Sequence, residues 1–237
     1  MIPLRDENPS GTFPFVTIGI IVFNIVVFLF ELSLGDRLEE FILSYGLVPL
    51  KVWHYGRIPS LSFREAFFPF ISSMFLHGGW VHIIGNMWYL WIFGDNIEDR
   101  LGHLRFAVFY LLCGIGSGLI HTIMNPKSGL PCVGASGAVA GVLGAYFLCF
   151  PMARVLTIIP IFIFIEFVEL PAMIFLFFWF FLQFFNGALS IAFVSQTIGG
   201  VAWWAHIGGF IIGIVLVLVF PKSRRSKQSR YRVWYER

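Results

Sequence analysis

The sequence predicts an all-α polytopic membrane protein: a bundle of six transmembrane helices with a structured outer segment between the first two. Three observations lead there. Apolar residues make up 58% of the 237 positions and charged residues only 12%, about half the quarter usual in soluble domains. Six apolar runs approach the ~20 residues that a helix needs to cross a bilayer. The basic residues between and after the runs gather on one side of a six-span arrangement, as the positive-inside rule requires.

Residues 1–13 are expected to form a short cytoplasmic N-terminus. MIPLRDENPS mixes charges and no small-residue cleavage site follows, so the first run, 14–34, reads as an anchor rather than a removable signal. Residues 35–78 contain FILSYGLVPLKVW and PSLSFREAFF, amphipathic enough to lie at the outer surface. The remaining spans are expected at 79–97, 105–124, 134–151, 171–187 and 201–220, closing a membrane domain over 14–220. The stretch VLTIIPIFIFIEFVEL, 155–170, is apolar but holds Pro160, Glu166 and Glu169, so it is expected at the cytoplasmic interface or as a re-entrant piece, not as a crossing. The tail, 221–237, carries Lys222, Arg224, Arg225, Lys227, Arg230, Arg232 and Arg237 and falls on the same side as Arg5, Arg100, Arg105 and Arg154. Both termini are therefore expected in the cytoplasm, and topology accounts for the basic tail without a lipid-binding switch. Cys113, Cys132 and Cys149 form neither an even set nor a CxxC pair, which speaks against a disulfide framework or a zinc ribbon. No soluble domain is expected beyond these elements.

The polar residues inside the spans are few and fall at one depth. His82 and Asn86 lie near the start of the second span, Ser136 at the start of the fourth and His206 near the start of the sixth, and all three spans run in the same direction. The inner halves, such as YLWIFG, AYFLCF and IVLVLVF, continue no polar path, so a pocket open to one face is expected rather than a channel. His82 and Asn86 are i and i+4 and project from one helix face. Glycine stripes, Gly137, Gly141 and Gly144 beside Ser136 and Gly209 and Gly213 beside His206, allow backbone-close packing that brings serine and histidine together. A serine becomes nucleophilic when a histidine takes its proton. With no acid evident as a third member, the expectation is a Ser136–His206 dyad. The oxyanion formed on attack would be held by His82, Asn86 and the backbone N–H of Ser136 at a helix N-terminus.

These residues resemble the motifs of the rhomboid family of intramembrane serine proteases. GASG, with Gly134, Ser136 and Gly137, is similar to the family's GxSG; AHIGGFIIG around His206 to AHxxGxxxG; and HIIGN, His82 to Asn86, to HxxxN. All three occur on the expected spans in the expected order. The resemblance implies a six-span fold and cleavage of membrane-spanning protein substrates within the bilayer, without metal, cofactor or nucleic acid. The expected location is a prokaryotic cell membrane, with the termini cytoplasmic and the active site opening to the outer side. The sequence departs from many members in having Phe68 and Pro69 where Trp-Arg occurs, and Gly85 where some have an aromatic residue. The competing readings are a catalytically inactive relative that binds membrane clients, a small transporter, and a metal site from His77, His82, His121 and His206. HExxH is absent, and the five-residue step in HGGWVH puts its imidazoles on different helix faces, which disfavours the metal.

Substrate entry needs one span to yield. The fifth, PAMIFLFFWFFLQFF, has no glycine stripe, and Phe175, Phe178, Trp179 and Leu182 are expected to share a face packed on the second span near Gly85. Trp179 and Phe178 are the expected gate residues, with truncation raising turnover.

Overall fold

The computed structural model describes residues 1–161, 164–192 and 202–223. Ten α-helices and three β-strands are defined among them. Helix α1, Phe15–Ser33, is followed by four short helices, α2 Leu38–Tyr45, α3 Pro49–His54, α4 Phe63–Phe67 and α5 Pro69–Ser72. Then come α6 Trp80–Leu101, α7 His103–Met124, α8 Ser136–Cys149, α9 Ala172–Ala192 and α10 Trp203–Val219. By length and composition α1, α7 and residues Ala172–Leu189 of α9 can each cross a membrane. Residues Phe63–Phe75 and Trp80–Leu101, bent by 74°, form a fourth candidate if taken together. The two shortest candidates, α8 with 14 residues and α10 with 17, are apolar but lie below the length of an ordinary span.

Helix α1 is built inside out. Its buried residues are Thr17, Asn24, Phe28 and Glu31, while Val22, Phe23, Val26, Leu29 and Phe30 are exposed. In lipid the polar side chains must turn inward, because there is no water outside to satisfy them. Each end of the inner stripe binds α6 or its approach. Glu98 of α6, fully buried, accepts from the backbone N–H of Val16 (2.9 Å) and Thr17 (2.7 Å) and from the Thr17 hydroxyl (2.7 Å), and it pairs with His103 Nδ1 at 2.5 Å. It thereby satisfies two of the orphan donors at the start of α1. At the other end Glu31 accepts the His77 N–H at 3.2 Å, fixing the turn that enters α6. Gly102, at φ +83°, is the single residue between α6 and α7.

The all-α expectation is corrected by a small antiparallel sheet of order β1–β2–β3, formed by β1 Ile2–Asp6, β2 Arg154–Ile161 and β3 Phe164–Pro171. The 155–170 stretch is thus a β-hairpin. Its β-branched and aromatic content favours strands, and pairing satisfies a backbone that is too short to cross as a helix. Pro160 lies beyond the last β1–β2 pair, Ile2 with Ile158, where its missing N–H removes nothing from that ladder. The hairpin joins α8 to α9, and Ala172 and Met173 donate backbone hydrogen bonds back to Ala153 and Pro151. Strand β1 occupies residues expected only as a short terminus. The basic tail, from residue 224 on, and residue 201 at the start of the expected sixth span lie outside the described residues.

Asp6 fastens β1 to the bundle. Its carboxylate accepts from the Tyr146 hydroxyl of α8 at 2.5 Å and from Asn96 Nδ2 of α6 at 3.1 Å. Burial raises its pKa from 3.8 to about 6; the Tyr146 hydrogen bond opposes this and the Asp95 charge adds to it. The folded state holds the Asp6 proton more tightly than the unfolded chain does. The resulting stabilisation is therefore full below about pH 4 and is lost as pH rises through about 6. The melting temperature of the purified protein should fall between pH 4 and pH 7 by more in the wild type than in Asp6→Asn. Parallel curves would remove Asp6 from the pH response.

Candidate active site

Helices α8 and α10 meet through their backbones. A Cβ at Gly209 would overlap the carbonyl oxygen of Gly137, one at Gly213 that of Gly141, and one at Gly144 that of Phe210. Residues 137–146 of α8 are buried without interruption, so α8 is the central helix. Ser117 of α7 closes the junction. Its hydroxyl donates to the Ala205 carbonyl at 2.8 Å and occupies the space that a side chain on Gly137 would need. This three-helix contact lies directly beside Ser136 and His206, which neighbour Gly137 and Ala205 in the chain.

Ser136 is the first residue of α8 and is partly accessible. The loop that presents it is held by the segment before α6. Leu47 and Cys132 exchange backbone hydrogen bonds of 3.0 and 2.8 Å, and the Gly134 N–H donates to the Ser73 carbonyl at 2.8 Å. Gly134 adopts φ +124°, which favours glycine, and a Cβ there would lie 2.6 Å from His82 Nε2 and 3.6 Å from Ser136 Oγ. His82 Nε2 and the Ser136 hydroxyl thus converge over the bare face of one glycine. His82 Nδ1 faces the Gly78 N–H at 3.4 Å. Asn86, one turn along α6, is 8% exposed, and its Nδ2 has no partner within the described residues. A buried amide donor without an acceptor is uncommon, and here it stands beside His82 on the same helix face.

His206 lies in the first turn of α10, with Nδ1 2.7 Å from Oε1 of Gln183 on α9. His82 and His121 are within electrostatic reach of it. Among the described residues no three of His, Cys, Asp and Glu are placed to hold a metal ion, so the histidines considered as a metal set do not assemble into one.

The expected gate face is corrected. Phe175 does reach the second span's helix, stacking on Phe93 at 6.2 Å and lying 6.4 Å from Tyr89. Trp179 turns instead to α10, 6.0 Å from the His206 ring and 6.1 Å from Phe210. Phe178 and Leu182 are about half exposed, and nothing approaches within 4 Å of a Cβ built on Gly85. The reason is rotational. Phe175 and Trp179 are i and i+4 on a helix lodged between two neighbours, so one serves each, and Phe178 is carried round to the outside.

Sequence reasoning missed two residues. Gln183 is the only polar side chain from Ala172 to Phe185, and an isolated amide in so apolar a helix is itself a signal. Ser117 sits in GIGSG, where a methyl group would have packed as well.

A family model described as "Rhomboid domain" matches residues 64–223. The chain belongs to the rhomboid family. It is 29% identical over 163 residues to rhomboid-like protein 11, chloroplastic, of Arabidopsis thaliana, covering 66% of this chain and 54% of that protein. It is 27% identical over 228 residues to the presenilin-associated rhomboid-like protein, mitochondrial, of Mus musculus, covering 87% of this chain and 55% of the relative. The chain thus spans about half the length of these curated relatives. Family membership and the apolar helices make this rhomboid an integral membrane protein.

Because the α8–α10 contact has no room for a β-carbon, Gly209→Ala and Gly213→Ala should each destabilise the protein by about 1–3 kcal/mol, the usual cost of overpacking. Gly85→Ala should leave the melting temperature unchanged, since its surroundings are open. Equal melting temperatures for all three variants would contradict the packing described.

Proposed function

We propose that this rhomboid is an intramembrane serine endopeptidase that cleaves membrane-spanning protein substrates with Ser136 as nucleophile and His206 as base. The observation that carries the reading is the convergence of His82 Nε2 and Ser136 Oγ at Gly134, with the unpartnered Asn86 Nδ2 one helical turn away. Packing alone gives no reason to bury an unsatisfied amide one helical turn from the histidine that faces Ser136. An oxyanion forming on a carbonyl attacked by Ser136 would supply the missing acceptor.

In this mechanism His206 takes the hydroxyl proton as Ser136 Oγ adds to the scissile carbonyl carbon. The tetrahedral oxyanion is held by the Ser136 backbone N–H, Asn86 Nδ2 and His82 Nε2. Collapse breaks the C–N bond, and His206 returns its proton to the leaving amine. Water, deprotonated by the same imidazole, then releases the acyl group from Ser136. Basic residues near the helix ends and in the tail favour cytoplasmic termini. In this reading six spans cross a prokaryotic cell membrane, with the site opening to the opposite face. Helix α9 suits the role of a lateral gate: it presents an aromatic outer face to lipid, and among the described residues a Cβ at Gly187 would meet α10 side chains at 3.2 Å and beyond, not backbone atoms as between α8 and α10.

Ser136→Ala and His206→Ala should each abolish cleavage of a transmembrane substrate, with the double variant no worse than either single one. Asn86→Ala should lower turnover by up to about 10²–10³, the range for a lost oxyanion donor. Cleavage persisting in purified Ser136→Ala would overturn the serine mechanism, and its absence in the wild type would favour an inactive client-binding relative.

A second experiment addresses the gate. A Cβ at Gly187 of α9 would lie 3.4 Å from the Trp203 Cβ of α10, close to disulfide spacing. Oxidised Gly187→Cys/Trp203→Cys enzyme should lose cleavage of transmembrane substrates yet still react with a fluorophosphonate at Ser136, and reduction should restore cleavage. Undiminished cleavage after oxidation would reject α9 as the moving element.

A further inference from the structure

Resting on the protease reading above, we propose that Gln183 is a positioning residue: it holds His206 in the tautomer that a general base requires, making helix α9 part of the catalytic apparatus. The Gln183 side chain is 9% exposed, and its Oε1 stands 2.7 Å from His206 Nδ1. Paired in this way, the amide oxygen accepts a proton that the ring carries on Nδ1. Nε2 is then left without a hydrogen, with its lone pair free to receive the Ser136 proton.

His82 is set the opposite way. The Gly78 N–H donates to its Nδ1, so its proton rides on Nε2, the atom facing Gly134 and Ser136. Two imidazoles in one site thus carry opposite tautomers, a donor at His82 and an acceptor at His206, each fixed by what meets its Nδ1. A neutral amide suits the place of a third member here, because a carboxylate would have to be buried as a charge whenever His206 is neutral.

The contact also ties chemistry to the gate. Trp179 and Gln183 are i and i+4 on α9, one lying beside the His206 ring and the other binding its Nδ1. A displacement of α9 that admits a substrate removes both, and the base is re-formed only when α9 returns. No bond is cleaved while the gate stands open.

Among the described residues the titratable groups within reach of His206 are His82 on α6 and His121 on α7, and neither is altered in the variants that follow. Full-length protein in detergent is treated with a fluorophosphonate across pH. Gln183→Leu, which keeps the bulk and removes the acceptor, should slow labelling of Ser136 at neutral pH by about tenfold or more, within the ~10²–10⁴ attributed to general acid–base catalysis. Gln183→Glu should restore the rate and move the acid limb of the profile to higher pH, because a carboxylate at Nδ1 stabilises the protonated ring. A wild-type rate and profile in Gln183→Leu would overturn the proposal, as would an unmoved acid limb in Gln183→Glu. If Gln183→Leu fails to fold, the Gln183→Glu profile decides by itself. Failure of the protease reading is distinguishable: the wild type itself would then remain unlabelled. In that event the ring ¹⁵N shifts of His206 decide, a proton on Nδ1 supporting the contact and a proton on Nε2 overturning it.

Discussion

Two helices touch through their peptide groups along the middle of this protein, and the remaining arrangement follows from that contact. Close approach of α8 and α10 requires glycine at 144 on one side and at 209 and 213 on the other, while Ser117 and Cys113 of α7 fill the space beside Gly137 and Gly141. In lipid there is little hydrophobic gain in bringing helices together, so van der Waals contact and small interfacial residues must hold them. With the backbones so near, the starts of both helices, which carry Ser136 and His206, are held on the same side of the junction closed by Ser117. The same closeness leaves residues 137–146 of α8 no outward face, and the helix becomes the post around which α6, α7, α9 and α10 stand.

Polar groups perform the complementary task at the periphery. Glu98 and Glu31 receive backbone N–H groups from separate elements, one locking the start of α1 to α6 and the other shaping the turn before α6. The second connection reaches the site in two steps, since His77 neighbours Gly78 and the Gly78 N–H holds His82. The segment from 35 to 78 contributes in a similar way, with Leu47 and Ser73 steadying the loop that delivers Ser136. Orientation of the candidate site thus depends on backbone groups supplied from outside it.

The sequence displayed much of this plainly and some of it not at all. The helices fall close to the apolar runs, because a run of lipid-facing residues has few alternatives to a helix. Glycine spacing revealed the α8–α10 contact, since residues repeating every three or four positions must share a face. The hairpin at 154–171 was hidden because a continuous apolar run of this length gives the same signal for a buried strand, an interfacial helix or a partial span. Trp179 was assigned to the wrong neighbour because helical phase tells which residues lie together but not which helix they meet. Gln183 is hard to see in the sequence for a chemical reason: the third member beside a serine–histidine pair is expected to be an acid, whereas an amide can accept the Nδ1 proton without bringing a charge into the membrane.

The length of α8 has a consequence for where water stands. Fourteen residues extend about 21 Å at the usual helical rise, against a hydrocarbon thickness of about 30 Å. A post this short, rooted at one face beside the β-sheet, ends well beneath the other. Its first residue, Ser136, is reached through a loop tied to the segment before α6 by the Leu47–Cys132 and Gly134–Ser73 backbone bonds. For the hydrolysis proposed above, the shortness of the central helix is what would let water rather than lipid reach Ser136, since the serine stands at the end of a post that does not span the layer.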